Sequence, residues 1–307
     1  MPAPDPADLA DGQVIVATRA GGICGSDLPR FLGRPYVQPG DLGGTATRAP
    51  GFPMHEIVGK IITSRHPDHR VGDLVVGWAS SYLGLAELVV GDGDELATFD
   101  SALTDTTAVM LQSLACVLYA VEQLGDIEGQ RVAVVGQGPI GLLFSHVLSA
   151  RGASHVVGVD LVDRTQVAEL FGVNETVTAH STLWSARLPA TDRPQVIVEA
   201  VGHQVSTLQD CVQAAAVGGQ ISYFGVPDDP TYPLQMRAFQ LKNLTLRSGV
   251  TRERRRVLAD AGRYLTDHPE LAESYVSHIF TLNDVQAAYT AATRPRVGQH
   301  KIVVRTV

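Results

Sequence analysis

The sequence predicts an α/β protein with a β-rich first domain and a second domain built on a doubly wound parallel sheet. The chain has 307 residues, which is enough for two separate hydrophobic cores. In the first half, short β-rich segments are separated by Gly and Pro, whereas residues 131–225 alternate apolar strands with amphipathic helices. Fully apolar strands between helices are buried on both faces, as in a parallel sheet.

The first half contains four predicted strands, Gln13 to Thr18, Ile57 to Ile62, Asp73 to Val76 and Ala86 to Val90. The Gly/Pro/Thr-rich stretch between Leu28 and Met54 has no usable period and predicts a long loop, a feature that is usually functional in a compact domain. From Thr104, apolar residues recur at helical spacing, which predicts a helix leading into the second domain.

The second domain is predicted from its regular alternation of strands and helices. Its strands are RVAVVG, HVVGVD, QVIVEAVG and QISYFGV, and its helices pass through His146 and Leu148, Thr165 to Phe171 and Ser206 to Val217. The last fifty residues predict a helix around Val257 to Thr266 and a closing strand, HKIVVRTV.

Charge and composition exclude several classes of protein. The formal net charge of −8 argues against a nucleic-acid or anionic-membrane partner. A basic run, Arg252, Arg254, Arg255 and Arg256, predicts a solvated helix face. Neither a signal peptide nor an apolar stretch of about 20 residues is visible, so we expect a cytoplasmic protein that does not span a membrane.

The three cysteines, Cys24, Cys116 and Cys211, stand far apart. This spacing excludes a disulfide framework and a four-cysteine metal site, and it favours a reducing compartment.

A dinucleotide-binding fingerprint follows the strand RVAVV: Gly136-Gln137-Gly138-Pro139-Ile140-Gly141. The first glycine permits a tight turn, the second lets the backbone approach a pyrophosphate, and the third allows close helix-to-strand packing. Asp160, nineteen residues after Gly141, ends the next strand and would bind ribose hydroxyls, which favours NAD over NADP. Two alternatives stay open: these residues serve only as turn and cap, or Arg164 holds a 2′-phosphate.

A second group of residues suggests a metal site. Cys24-Gly25-Ser26-Asp27 follows a strand, and His55-Glu56 opens another. Thiolate, imidazole and carboxylate are a plausible zinc set, and three protein ligands with one open position characterise a catalytic site. A buried cysteine and a satisfied core histidine are the alternative that the spacing alone leaves open.

The ordered motifs GGICGSD, HEIVGKI, VGDLVVG, AELVV, TAVMLQSLACVLYAV, VAVVGQGPIGLL and KIVV span nearly the whole chain. This pattern resembles the zinc-dependent medium-chain dehydrogenases, and most of all their polyol, sorbitol and glucose dehydrogenase branch. The resemblance implies a GroES-like catalytic domain over residues 1–115, a Rossmann domain over 116–268 and a return to the catalytic domain over 269–307.

The resemblance also implies site residues. Cys24 and His55 match the first two ligands of one catalytic zinc per chain, Glu56 matches an acid that binds the metal or lies beside it, and Gln112 matches the third ligand position. Cys116, one turn further along that helix, could be proposed instead, but its apolar neighbours favour a packing role, as for Cys211.

Further roles follow from the same resemblance. Ser26 matches the hydroxyl that passes the substrate proton to solvent, and Asp27 the carboxylate that orients His55. Lys301 matches a basic residue near the cofactor pyrophosphate, with an exposed strand-end charge as the alternative. Val201 and Gly225 are also assigned to cofactor binding, with Pro139, Ile140 and Arg164.

The implied function is hydride transfer between a nicotinamide cofactor and a secondary alcohol or ketone of a polyol, sugar, aminosugar or cyclitol. A zinc-free reductase of the same superfamily and a dinucleotide-binding protein without turnover are the alternatives. The relatives commonly form dimers or tetramers through the sheet edge near YFGV and LTLRSGV, so we expect a homo-oligomer.

Several features depart from the family pattern. Thirteen residues separate Asp73 from Glu87, where longer relatives insert a structural-zinc lobe. Pro29 stands where relatives commonly have a histidine that ends the proton relay, and Met54 stands where they usually have a glycine. The long loop offers polar side chains for a hydroxyl-rich, aminated or phosphorylated substrate, Arg30, Arg34, Tyr36, Gln38, Asp41, Thr45 and Arg48. His66 and His69 are expected in an exposed turn, facing solvent.

Overall fold

The computed structural model describes residues 3–34 and 50–306, which form two compact units. The first unit comprises Met1–Ala115, Arg252–Pro295 and Gln299–Val307, and the second comprises Cys116–Thr251 and Arg296–Gly298. The chain therefore returns to the first unit at Arg252, before the predicted boundary at residue 269. The reason is a helix over Arg254–Asp267, which packs on strands of the first unit.

The strands are β1 (Gln13–Ile23), β2 (Glu56–Ser64), β3 (Leu74–Trp78), β4 (Leu88–Asp92), β5 (Leu96–Thr98), β6 (Arg131–Val135), β7 (His155–Asp160), β8 (Glu175–Thr178), β9 (Val196–Glu199), β10 (Gln220–Tyr223), β11 (Thr245–Ser248), β12 (Val276–Thr281) and β13 (Lys301–Arg305). The helices are α1 (Leu28–Phe31), α2 (Asp105–Ala108), α3 (Met110–Glu122), α4 (Pro139–Ala150), α5 (Thr165–Ala168), α6 (Ser181–Arg187), α7 (Ser206–Ala214), α8 (Met236–Leu241), α9 (Arg254–Asp267), α10 (Glu270–Ser274) and α11 (Val285–Ala292). In the described residues, no helix is long and apolar enough to cross a membrane.

The first unit is built on a seven-stranded sheet in the order β12-β13-β1-β2-β3-β5, with β4 also paired to β1. Alternating side chains of β1, β2 and β3 form its core, including Val14, Ile57 and Val75. Strand β1 extends to Ile23, beyond the predicted end at Thr18, because its glycine-containing last residues still pair with β13. The strand therefore places the following residue, Cys24, beside the start of β2.

The second unit contains a six-stranded sheet in the order β11-β10-β9-β6-β7-β8, and all of its pairs are parallel. This finding confirms the predicted doubly wound α/β fold. The buried apolar residues of β6, β7, β9 and β10 pack with α7 in one core. The sequence pattern did not predict β8, whose four residues are polar or half-exposed, or the short helix α6.

The first residues of the predicted loop between Leu28 and Met54 form a short helix. Gly25–Asp27 form a 3-10 turn that continues into α1, where Pro29 occupies the first turn. Met54 is buried in the core with Ile23 and Tyr289. Residues 35–49 lie outside the described part of the chain.

His66 and His69 do not face solvent, which corrects the sequence-based expectation. Their exposures are 8% and 5%, and their rings lie 4.8 Å apart. Nε2 of His66 lies 3.2 Å from Asp94 Oδ1, and Nε2 of His69 lies 2.9 Å from the carbonyl oxygen of Gly93. Both rings therefore pack against the turn that follows β4, a long-range contact that local spacing does not reveal.

The basic run at the start of α9 was predicted to be a solvated helix face, but Arg254 and Arg255 in it form ion pairs. Arg254 forms a hydrogen bond and ion pair with Glu95 and lies 5.0 Å above the Trp78 ring. Arg255 lies 2.7 Å from Asp68. These contacts fix the start of α9 on the first unit and offset part of the local positive charge.

Candidate functional site

The candidate metal ligands meet where β1 ends and β2 begins. Gly22 of β1 is paired with Glu56 of β2 in the antiparallel register, so the residues just beyond these positions are brought together. The ligand atoms of Cys24, His55 and Glu56 all lie within 4.8 Å of one another. His55 and Glu56 are buried, and Cys24 is half-buried.

Asp27 links two of these residues. Its Oδ2 accepts a hydrogen bond from the Cys24 amide at 3.0 Å, and its Oδ1 lies 2.7 Å from Nδ1 of His55. Because Asp27 engages Nδ1, Nε2 is the ring nitrogen available to a metal. Burial lowers the pKa of His55, but the charge and hydrogen bonding of Asp27, together with Cys24, outweigh it and raise the pKa well above its usual value.

Lys301 belongs to the same buried cluster. Its Nζ lies 2.5 Å from Glu56 Oε2 and 3.3 Å from the Ser113 hydroxyl, which in turn donates to Glu56 Oε1 at 3.3 Å. Lys301 is 1% exposed, so the alternative of an exposed strand-end charge is wrong. The ammonium is paired with Glu56, and the expected contact with a cofactor pyrophosphate stays a prediction.

Gln112, the expected third ligand, is 2% exposed in α3. It directly precedes Ser113, whose hydroxyl contacts Glu56, so the helix presents this segment beside the cluster. Cys116 is half-buried, although a packing role in the core was expected for it. Cys211 is fully buried, as expected. Burial raises the pKa of the Cys211 thiol well above its usual value, with the charges of Glu199 and Asp210 adding to the effect.

The 3-10 turn and α1 place further polar groups near His55. Ser26 is half-buried, and its carbonyl accepts a hydrogen bond from Arg30 Nη1 at 2.8 Å. The Arg30 guanidinium lies 3.8 Å from the centre of the Tyr82 ring, and that ring lies 5.2 Å from the His55 ring. Arg34 is exposed. The other predicted loop residues, Tyr36, Gln38, Asp41, Thr45 and Arg48, lie outside the described residues.

The donor set fits zinc. A thiolate, an imidazole and a carboxylate are ordinary zinc ligands, and these three atoms are close enough together to share one ion. Asp27 meets the usual requirement for a carboxylate behind a metal-binding histidine.

The glycine fingerprint has the geometry that its spacing predicts. Gly136 adopts a φ of +91°, and a Cβ there would lie 2.8 Å from the Val201 side chain. A Cβ on Gly141 would lie 1.7 Å from the Gly136 carbonyl oxygen, whereas a Cβ on Gly138 would have no atom within 4 Å. Gly138 is the N-cap of α4, and Pro139 and Ile140 begin its first turn. Proline has no amide N–H, so this turn offers a ligand the Ile140 amide and the open space beside Gly138.

Asp160 lies beside this turn. Its Oδ2 accepts a hydrogen bond from the Gln137 amide at 2.6 Å, and its Oδ1 accepts one from Val162 at 2.8 Å. Arg164 is 5% exposed; burial lowers the pKa of its guanidinium, while the charge of Asp160 acts in the opposite direction. The carboxylate is therefore held at the carboxyl end of β7, next to the glycine turn.

Comparison with known proteins places the chain in a family. The family model described as alcohol dehydrogenase GroES-like domain matches residues 10–97, and the one described as zinc-binding dehydrogenase matches residues 139–263. "Probable zinc-binding alcohol dehydrogenase Rv1895" of Mycobacterium tuberculosis is 30% identical over 80% of this chain and 69% of its own length. The chain belongs to the zinc-binding alcohol dehydrogenases.

Other members of this medium-chain dehydrogenase superfamily are similar over much of the chain. L-idonate 5-dehydrogenase (NAD(P)(+)) of Escherichia coli strain K12 is 24% identical over 70% of this chain and 70% of its own. The structure of alcohol dehydrogenase TADH from Thermus sp. ATN1 has a TM-score of 0.82 and 24% identity, and the match covers 100% of this chain and 95% of that one. At this identity, the structural likeness shows the fold alone.

The structure of this zinc-binding alcohol dehydrogenase adds residues that the sequence did not single out. Ser113 bridges Glu56 and Lys301, and Tyr82 packs between Arg30 and His55. Gly22 leaves room for the buried pair, since a Cβ there would lie 2.1 Å from Glu56 Oε2 and 2.7 Å from Lys301 Cε. The position of Ser113 directly after the expected ligand Gln112 was the one local signal for these contacts.

Proposed function

We propose that this chain is a zinc-dependent, NAD-linked dehydrogenase that interconverts a secondary alcohol and a ketone. The observation that carries the proposal is the convergence of Cys24, His55 and Glu56 within 4.8 Å, with Asp27 behind the imidazole. The family to which the chain belongs supplies the reaction class, and the residues of this cluster supply the chemistry expected of it.

Cys24, His55 and Glu56 would hold one zinc ion per chain, with the Gln112 amide oxygen as a further neutral ligand. When bound, zinc supplies Lewis-acid polarisation of a hydroxyl or carbonyl oxygen, and the dinucleotide supplies the hydride acceptor or donor. The Lys301 ammonium, 2.5 Å from Glu56 Oε2, offsets the negative charge of that carboxylate. Asp27 keeps the His55 ring in a fixed orientation, so it is a positioning residue.

Ser26 would take the proton released by the substrate hydroxyl. Its side chain lies two residues after Cys24 in the short turn that leads to α1, and it is partly open to solvent. Pro29 has no ionisable group, so the serine hydroxyl would pass the proton to water or directly to the cofactor ribose rather than to a histidine at that position.

The second unit would bind the cofactor. Gly138, Pro139 and Ile140 offer the start of α4 to the pyrophosphate, with Gly136, Gly141, Val201 and Gly225 shaping the surrounding backbone. Asp160 at the end of β7 would accept hydrogen bonds from ribose hydroxyls and repel a 2′-phosphate, which favours NAD. The name of the L-idonate relative includes both cofactors, so the choice needs direct measurement.

We propose a hydroxyl-rich substrate, such as a polyol, sugar, aminosugar or cyclitol. A sugar acid is the substrate in the name of one relative. Arg30 and Tyr82 lie beside His55 and could orient polar substrate groups through the guanidinium and the phenol.

The exposed edge of the parallel sheet supports a homo-oligomer. All four residues of β11 are exposed, and Leu246 in that strand is 37% exposed. Within the described part of the chain, β11 pairs with β10 alone, so the backbone groups on its other side suit pairing with a second copy of the chain. The separated cysteines would remain reduced, which suits the cytoplasm.

Metal analysis and NADH titration of the purified chain test the proposal together. About one zinc per chain, NADH binding and chelator-sensitive oxidation of a secondary alcohol are expected. Turnover without metal would assign the chain to zinc-free reductases, and NADH binding without turnover over a broad alcohol panel would indicate a non-catalytic protein. Cys24→Ala and His55→Ala should lose zinc while retaining NADH binding, because the glycine fingerprint is unchanged.

A further inference from the structure

A strained histidine follows β9 and is paired to the loop that follows β10. His203 has a φ of +53°, a left-handed conformation that is uncommon for a residue with a β-carbon. Its Nδ1 lies 2.5 Å from Oδ1 of Asp228, and the two side chains are 21% and 30% exposed. Backbone strain of this kind is retained where surrounding contacts enforce it, often at ligand-binding sites.

The two loops are held together by the backbone as well. The His203 amide donates to the Val226 carbonyl at 2.8 Å. A Cβ on Gly202 would lie 2.6 Å from the Val226 nitrogen, and a Cβ on Gly225 would lie 2.2 Å from the Gly202 nitrogen. Only glycines permit this approach, and the resulting contact fixes the backbone that carries His203.

Glu199, the last residue of β9, reinforces the same arrangement. Its carboxylate is buried and accepts a hydrogen bond from the Gly202 amide at 3.1 Å, while its carbonyl accepts from the Gly225 amide at 3.0 Å. At the other end, the Asp228 amide donates to the Tyr232 hydroxyl at 3.2 Å. The backbone that carries the Asp228 carboxylate is therefore held by its own loop.

The pair lies at the edge of the sheet where a dinucleotide is expected. Strands β9 and β6 are neighbours at the point where the strand order reverses, and ligands bind at the carboxyl ends beside such a point. The β9 loop reaches the fingerprint directly, because Val201 packs against Gly136. Thus the loop carrying His203 and the glycine turn lie side by side at this end of the sheet.

We infer that His203 is a cofactor-binding residue whose Nε2 accepts a hydrogen bond from a ribose hydroxyl of the dinucleotide. Asp228 is its positioning residue. In a neutral imidazole, a carboxylate at Nδ1 selects the tautomer with the proton on Nδ1, which makes Nε2 the acceptor. Among the described residues, Nε2 has no hydrogen-bond partner, so it is available to a ligand. The inference rests on the proposed dinucleotide-binding function.

NADH affinity of the zinc-loaded protein, measured by fluorescence titration, tests the inference with four variants. His203→Gly removes the side chain and relieves the positive φ, so it should weaken NADH binding about 5- to 10-fold without loss of thermal stability. Asp228→Ala should weaken it about 3-fold, and the double variant should bind no more weakly than His203→Gly alone. His203→Asn tolerates the left-handed conformation, but its amide reaches only as far as Nδ1 of the imidazole and leaves no acceptor at the position of Nε2. It should therefore bind NADH about as weakly as His203→Gly.

A second histidine–carboxylate pair in the same unit provides the matched control. His155, the first residue of β7, lies 3.2 Å from Glu175 at the opposite, amino end of the sheet. His155→Ala should leave NADH affinity and zinc content unchanged. Parental affinity in His203→Gly or in His203→Asn, or additive losses in the double variant, would each overturn the inference. A parent chain that binds no NADH would instead contradict the proposed function.

Discussion

Nζ of Lys301 lies 2.5 Å from Oε2 of Glu56, and both side chains are 1% exposed. A buried carboxylate left without its cation suffers a large desolvation cost, even where the intact pair adds little net stability. The pair therefore has a structural role in the first unit that is separate from metal binding. It also places a positive charge beside a carboxylate that is a candidate zinc ligand.

Lys301→Met should destabilise the zinc-free protein by about 3–5 kcal/mol, because it leaves Glu56 charged and buried. Urea unfolding monitored by circular dichroism measures the change. The double variant Lys301→Met/Glu56→Gln should recover part of it, since the charge is also removed. As a control, Arg131→Met breaks a pair with Glu175 in which the side chains are 25% and 46% exposed, and should cost at most about 1 kcal/mol. Equal losses in the two single variants would contradict the buried-pair explanation.

Asp27→Asn should reduce zinc affinity about 10- to 100-fold, because the neutral amide no longer holds His55 Nδ1 as a carboxylate does. Competition with a chromophoric chelator measures the affinity. Asp94→Asn changes a carboxylate next to another buried histidine, His66, and should leave zinc affinity unchanged. An equal effect of the two substitutions would show that Asp27 does not act through His55.

Alkylation of the cysteines should distinguish a metal ligand from a core residue. Iodoacetamide should modify Cys24 in chelator-treated protein and leave it largely unmodified once zinc is restored, because a ligating thiolate is shielded. Cys211 should stay unmodified in both states, since burial raises the pKa of its thiol and blocks access. Peptide mass spectrometry reads both sites. Equal modification of Cys24 with and without zinc would contradict its role as a ligand.

Local rules predicted the elements that carry the fingerprint. The strand–glycine turn–helix pattern around Gly136 depends on neighbouring residues, and the apolar strands of the second unit depend on burial at both faces. Strand β8 was not predicted because it lacks an apolar run. Its place in the sheet is set by pairing with β7.

The composition of the metal cluster could be predicted from the family resemblance, but its electrostatics could not. Lys301 and Glu56 are far apart in the sequence and meet only because β13 and β2 both pair with β1. The same reason applies to His66, whose partner Asp94 lies in a turn beyond two further strands. The spacing of residues in the sequence predicts contacts within one helix or strand. The contacts of Lys301 and His66 depend instead on which strands pair in the sheet.

Lys242→Met should destabilise the second unit by about 1–2 kcal/mol. The Lys242 ammonium donates to three carbonyl oxygens at the end of α7, those of Val212 at 2.9 Å, Gln213 at 2.6 Å and Ala215 at 2.9 Å. A cation at this position satisfies carbonyls that have no helical partner and complements the helix dipole. Lys60→Met replaces an exposed lysine of β2 and should change the free energy of unfolding by less than about 0.5 kcal/mol. Urea unfolding of both variants makes the comparison, and equal values would contradict the capping role.

Two substitutions in the glycine fingerprint should separate cofactor binding from folding. Gly138→Ala adds a methyl group with no atom within 4 Å at a residue whose φ of −71° suits alanine, so stability should stay within about 0.5 kcal/mol of the parent. The same methyl group would occupy the space through which a pyrophosphate approaches the start of α4, so NADH affinity should fall at least about 10-fold. Gly141→Ala places its methyl group 1.7 Å from the Gly136 carbonyl oxygen, and should lose both NADH binding and about 1–3 kcal/mol of stability. Fluorescence titration and urea unfolding measure the two properties separately. Parental NADH affinity in Gly138→Ala would show that the pyrophosphate does not approach the chain at this turn.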